Sequence, residues 1–107
     1  MPNNEIIILN EIQNNGRTVH LYKCSQLGFY IAFGLSAFYV THVIEPVLSF
    51  SVDTQMPVAI VRSQQLKLLR QLMTLKEQTD SEMRFETSSH IGYEGYSQWI
   101  KDISKHN

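Results

Sequence analysis

Apolar and polar positions change period several times along the chain. EIIILNEI (residues 5–12) is apolar and rich in β-branched side chains, and it predicts a strand. Asn15-Gly16 follows, a two-residue hairpin signal, because both central positions of a type I′ turn need positive φ. TVHLYKCS (18–25) then alternates, with Thr18, His20, Tyr22 and Cys24 on one side and Val19, Leu21 and Lys23 on the other. These runs predict an antiparallel hairpin of 5–12 with 18–25. Gln26-Leu27-Gly28 is a second tight connection, leading into FYIAF (29–33). Phe29, Ile31 and Phe33 share one face of that strand; Tyr30 and Ala32 share the other.

Gly34 ends the strand, and Ser36 is placed to cap a helix from Ala37 to about Glu45 that Pro46 stops. Phe38, Tyr39, Val40, Val43 and Ile44 leave this helix little polar surface. A helix apolar nearly all round needs cover on more than one side, which the core and a second chain together would supply. VLSFSVD (47–53) alternates as a half-buried strand, Met56-Pro57 marks a break, and VAIV (58–61) reads as a short buried strand. Ser63 caps a helix predicted over 64–78. Leu66, Leu68, Leu69, Leu72, Met73 and Leu75 fill half of its circumference, and Lys67, Arg70, Gln71, Thr74 and Gln78 fill the rest. A loop at 79–82, a strand at 83–87 and a loop at SSHIG precede a short amphipathic helix carrying Tyr96, Trp99, Ile100 and Ile103. The predicted fold is a single α/β domain of the α+β kind over 1–107. Its sheet is mixed, mostly antiparallel, and packed by two or three helices.

Composition narrows the function classes. With 107 residues, 43% hydrophobic and 18% charged, the chain can bury one core but not two. Lys and Arg number 9 against 10 for Asp and Glu. Domains that grip nucleic acid mainly by its phosphates are usually strongly basic, so any such binding here rests on a local patch or on stacking. Cys24 is the single cysteine, which rules out an internal disulfide and a four-cysteine zinc site. The N-terminus lacks the features of a signal peptide, and a cytoplasmic location is expected. From Cys24 to Ile44 no residue is formally charged, a length that could cross a bilayer. Ser25, Gln26, Ser36, Thr41 and His42, with breaks at Gly28 and Gly34, favour a strand–turn–helix in a soluble domain, and no membrane association is expected.

Chemistry-bearing patterns are sparse. There is no glycine-rich phosphate loop and no nucleophile elbow, CxxC, HExxH or EF-hand motif. His20, His42, His90 and His106 are scattered. His20 and Cys24 share a strand face, but residues i and i+4 on a strand stand about 13 Å apart, too far for a nucleophile and its base. Glu45 and Asp53 read as solvated ends of elements. No catalytic residue, metal ligand, cofactor or small-molecule substrate is expected, and the chain reads as non-enzymatic. Arg62, Lys67, Arg70 and Lys76 stand against only Glu77 over 62–77, a run that could receive phosphates or simply line a solvated helix.

The order strand, tight turn, aromatic strand, helix, strand, break, strand, long helix, strand resembles the N-terminal, mismatch-recognition domain of the MutS mismatch-repair family. Leu27-Gly28-Phe29-Tyr30-Ile31-Ala32-Phe33 stands where that family has Gly-Asp-Phe-Tyr-Glu-Leu-Phe, and Met56-Pro57-Val58-Ala59-Ile60 is similar to its Met-x-x-Ile-Pro. The likeness covers roughly residues 18–88. It implies that Phe29 corresponds to the Phe that wedges beside a mispaired base. Ile31 replaces the Glu that hydrogen-bonds that base, so base reading does not carry over. The family is helical where 5–12 predicts a strand, and these residues hold no phosphate loop like that of the family's ATPase, so ATP-driven mismatch repair is not expected of them. Two functions follow. One is a DNA-associated module using Phe29, Ile31, Arg62, Lys67 and Arg70. The other is a protein-interaction or self-association module that kept the fold and lost the DNA site, with Phe38, Tyr39 and Val43 as its contact surface.

Overall fold

The computed structural model describes residues 2–24, 28–87, 92 and 94–105. Of the predicted connections, 25–27 and 88–91 lie outside them. The N-terminal segment forms a helix, α1 (Asn4–Ile12), not a strand. Asn3 caps it, its side chain accepting a hydrogen bond from the Ile6 N–H at 3.0 Å. The strand propensity of three isoleucines is overridden because Ile7 and Glu11, one helical turn apart, both bury inward. Asn15-Gly16 does make a turn, with Gly16 at φ 84. It joins helix to strand instead of closing a hairpin. Asn14 Oδ1 accepts from the Gly16 N–H at 3.0 Å, and Asn15 Oδ1 accepts from the Arg17 N–H at 3.0 Å.

Strands β1 (Thr18–Cys24) and β2 (Phe29–Phe33) pair antiparallel in the predicted places. With β3 (Val47–Ser51), β4 (Met56–Arg62), β5 (Thr74–Gln78) and β6 (Glu82–Glu86) they form a six-stranded sheet in the order β3-β4-β2-β1-β6-β5. Every pairing among the described residues is antiparallel. Met56-Pro57 opens β4 and does not break the chain; the reversal lies at 52–55, where Gln55 takes φ 57. Strand β3 is an edge strand and is exposed along most of its length, not half-buried.

The remaining helices differ from expectation at their ends. Helix α2 (Gly34–Val40) begins at the glycine and stops short of Glu45, with Ser36 buried inside it and not capping it. Helix α3 (Ser63–Leu72) is shorter than predicted, because Met73 turns extended at φ −129, ψ 159 and Thr74 onward pairs with β6 as β5. Helix α4 (Tyr96–Lys105) forms as expected.

The main core lies on one sheet face. There Val19, Leu21, Ala32, Ala59, Val61, Met83 and Phe85 meet α2 and the Leu69 and Met73 side chains, with Tyr96 and Trp99 of α4 packed against the cluster. On the other face α1 covers part of the sheet, Ile7 packing with Tyr22, Phe33 and Val58. The surplus apolar surface of α2 is thus covered from within the chain. Phe38 is 6% exposed and its ring lies 5.3 Å from Trp99 and 5.5 Å from Tyr96, centroid to centroid. Tyr39 is fully buried and Val43 is half-buried against the same cluster. The expected contact surface at Phe38, Tyr39 and Val43 is therefore corrected: Phe38, roofed by Tyr96 and Trp99 of α4, and Tyr39 lie in the core, and Val43 is half-buried against it. No helix among the described residues is long and apolar enough to cross a membrane.

Candidate functional site

One end of the sheet gathers most of the residues singled out for nucleic acid. Phe29, first in β2, is half-buried and lies opposite Cys24 of β1 and Arg62 of β4. In antiparallel register directly opposed residues point to the same face, so Phe29 and Arg62 stand side by side. Ile31 lies two residues inward on that face, opposite Tyr22 and Ile60, and packs partly against the smaller core cluster. Gly28 precedes Phe29 in the turn at φ 71, a conformation glycine takes without strain.

The chain passes directly from β4 into α3, which fixes the rest of the site. Ser63 Oγ donates to the Gly28 carbonyl at 2.9 Å, tying the start of α3 to the turn before Phe29. The Arg62 N–H donates to Gln65 Oε1 at 3.1 Å, and Gln65 Nε2 donates to the Glu45 carbonyl at 2.8 Å. Gly28, Phe29, Arg62, Ser63 and Gln64 line a shallow, open groove. Ser63, Lys67 and Arg70 follow at i, i+4 and i+7, so one side of α3 carries two exposed cations away from the groove. An aromatic edge and a guanidinium thus meet at the groove, and the two cations of α3 lead away from it; Ile31 flanks the pair without a polar group to offer.

A second concavity, of about 170 Å³, lies on the α1 side of the sheet and is lined by Asn10, His20, Tyr22, Glu77, Glu82 and Arg84 among others. The His20 ring lies parallel to Tyr22 at 6.4 Å. Burial, and then the charge of Arg84, hold the imidazole below its ordinary pKa. The Tyr22 hydroxyl accepts from Asn10 Nδ2 at 2.9 Å and is pushed up to about 12, chiefly by burial. Arg84 pairs with Glu77 at 3.2 Å, through side chains that are both exposed. Tyr22 stands between His20 and Cys24 on their shared face, as the strand spacing predicts.

Sequence reasoning missed a buried carboxyl. Glu11 is 3% exposed. Its Oε1 accepts from the Ser36 N–H at 2.7 Å and its Oε2 accepts from Ser36 Oγ at 2.7 Å. Ser36 Oγ in turn accepts from the His20 N–H at 2.9 Å. Glu11 therefore supplies from α1 the acceptor that Phe33, the N-cap residue of α2, lacks. Burial pushes the Glu11 carboxyl up to about 7, against the hydrogen bonds from Ser36 and Asn14 that favour its charge. The Tyr96 hydroxyl is also pushed up to about 12, first by burial and then by Glu11. The signal available was the spacing of Asn3, Ile7 and Glu11, a cap and a helical face that the isoleucine run concealed.

No group of His, Cys, Asp and Glu among the described residues is arranged to hold a metal ion. Comparison with protein-family models, with curated proteins and with solved structures finds no match for the chain.

Proposed function

We propose that this chain is a non-catalytic binding module with a fold of the MutS N-terminal kind, and that it meets nucleic acid at the Phe29–Arg62 groove. The single observation behind this reading is the direct opposition of Phe29 and Arg62 at the mouth of an open groove from which Lys67 and Arg70 lead away. An aromatic edge beside a guanidinium is the pairing on which an unstacked base rests, and such stacking tolerates any sequence. The order of elements from β1 to β5 supports the family likeness. So does α1, which occupies the stretch where that family is helical. Ile31 offers no hydrogen bond, so the contact is with a base's π-face and not with its edge. The one free cysteine, Cys24, suits a reducing compartment such as the cytoplasm.

The test is fluorescence anisotropy with single-stranded DNA and with a mismatched duplex, across a salt series. Phe29→Ala should weaken binding by about 1–3 kcal/mol, the usual worth of one stacked base. With three cations available, the slope of log affinity against log salt should be about −2 to −3, and changing Lys67 and Arg70 to Gln should flatten it. Absence of binding to either DNA at low salt would end this reading.

The alternative, a protein-interaction or self-association module, has an observation of its own. Large apolar side chains stand exposed on α1, on β3 and at the start of the reversal that follows it, at Ile6, Leu9, Ile12, Val47 and Val52, of which Ile12 and Val52 are 70% and 73% exposed.

A further inference from the structure

The two edges of the sheet are unequally protected. Strand β5 carries Lys76 and Glu77, departs from regular pairing between Leu75 and Glu77, and places Glu77 in an ion pair with Arg84. Charge and a bulge are standard obstacles to edge-to-edge pairing. Strand β3, Val-Leu-Ser-Phe-Ser, has neither. No formal charge occurs from Pro46 to Val52, and Val47, Leu48, Phe50 and Val52 are all exposed.

The register of β3 on β4 shows which backbone groups face outward. Phe50 lies opposite Pro57, which has no N–H to give. The pair Phe50–Pro57 is therefore a non-hydrogen-bonded one, and by alternation so is Leu48–Ala59. Val47, Ser49 and Ser51 spend their backbone groups on β4. The N–H and C=O groups of Leu48 and Phe50 point away from the sheet, to the open edge.

We infer that a second copy of this chain pairs antiparallel with β3, across a two-fold axis at Ser49. In that register Leu48 of each copy faces Phe50 of the other, and both pairings exchange backbone hydrogen bonds. Each also sets a leucine beside a phenylalanine, a favourable cross-strand pair. Ser49 meets Ser49 of the second copy at the axis, with Cα atoms about 4.5 Å apart in a non-hydrogen-bonded pair. The strand suits a copy of itself because it is neutral: an antiparallel partner opposes no like charges anywhere along it. An isologous contact of this kind closes at two, and the guarded β5 edge stops growth beyond the dimer. Short edges bury less than a permanent interface does, which places the dimer in the reversible class. This gives the self-association reading a definite surface, away from α2 and independent of DNA.

The experiment is sedimentation velocity of the full chain, without nucleic acid, over a concentration series, with Ser49→Lys and Ser49→Glu beside the wild type. Ser49 is exposed, so both variants keep the core intact, which circular dichroism checks. The wild type should form a concentration-dependent dimer and nothing larger. Each variant should raise the dissociation constant about tenfold or more, through like charges facing at the axis. An equimolar mixture of the two variants should recover the dimer, because lysine then opposes glutamate. A wild type that stays monomeric throughout would overturn both the interface and self-association. A wild-type dimer that neither variant weakens would overturn this interface alone.

Discussion

Glu11→Gln isolates the charge of a side chain that joins three helices. Glu11 is almost fully buried, bonded to Ser36 of α2, and close enough to Tyr96 of α4 to raise that phenol. In the folded state its carboxyl titrates at about 7, against an ordinary value of 4.5. Between these values the folded chain holds a proton that the unfolded chain has released. Stability from this group is fully present below pH 4.5 and is lost as pH rises through about 7. At ~1.4 kcal/mol for each tenfold in proton affinity, the whole loss is on the order of 3 kcal/mol. That is a large share of the ~5–15 kcal/mol available to a domain of this size.

Urea unfolding of wild type and Glu11→Gln, followed by circular dichroism from pH 4 to 9, measures this. His20 works in the opposite direction. Its folded pKa lies below 6.5, so it costs stability as pH falls. The readout is therefore the difference between the two proteins at each pH, in which His20 cancels. Glutamine keeps an oxygen to accept from the Ser36 N–H but cannot lose a proton. The wild type should lose ground to the variant steadily above pH 4.5 and level off above neutrality. Curves that run parallel across the range would refute the claim that Glu11 is held protonated by burial.

Two further outcomes follow from packing. Leu69→Ala should cost about 2–5 kcal/mol in a chemical-unfolding experiment, because Leu69 is fully buried between α3 and the sheet, while Leu68→Ala, at an exposed position, should change stability by no more than about 0.5 kcal/mol. Gly34→Ala should cost about 1–3 kcal/mol in the same assay, since Gly34 takes φ 56 and an added Cβ would lie 3.1 Å from Met56 Sδ and 3.4 Å from Glu11 Cγ; a neutral result would show that the α2 start relaxes freely.

Where period and turn chemistry agreed, the sequence was legible. FYIAF alternates between two turn signals, and it is a strand; Tyr96, Trp99 and Ile103 recur at helical spacing, and they lie on a helix. It misled where one residue type satisfied two periods. The isoleucines at 6–8 suit a strand and a helix equally well, and the decision was made by groups far along the chain: Ser36 bonds to the Glu11 carboxyl, and Tyr22 to Asn10. Leu72-Met73-Thr74-Leu75 raises the same ambiguity. Helix spacing carries on through Leu75, but the open edge of β6 recruits 74–78 as a strand. Tertiary hydrogen bonding outweighed local propensity in both places.

The binding surface was legible residue by residue but not as a surface. Phe29 follows from the family resemblance and Arg62 and Lys67 from the local charge run, and no local pattern says that Phe29 and Arg62 face each other. That pairing needs β2 beside β4, in the register that runs from Phe29–Arg62 to Phe33–Val58. A second register, that of β3 on β4, sends Pro57 opposite Phe50 and so decides which backbone groups of β3 are free. One strand, β4, therefore sets both surfaces at once. Its Arg62 end faces the Phe29 groove, and its Pro57 end turns the Leu48 and Phe50 backbone outward. A residue inserted into the 52–55 reversal that shifted β3 by one place would bring Leu48 and Phe50 into hydrogen bonding with β4, and would leave Arg62 opposite Phe29. The dimer contact and the groove can thus be separated by a change in one loop, because the first depends on β3–β4 register and the second on β4–β2 register.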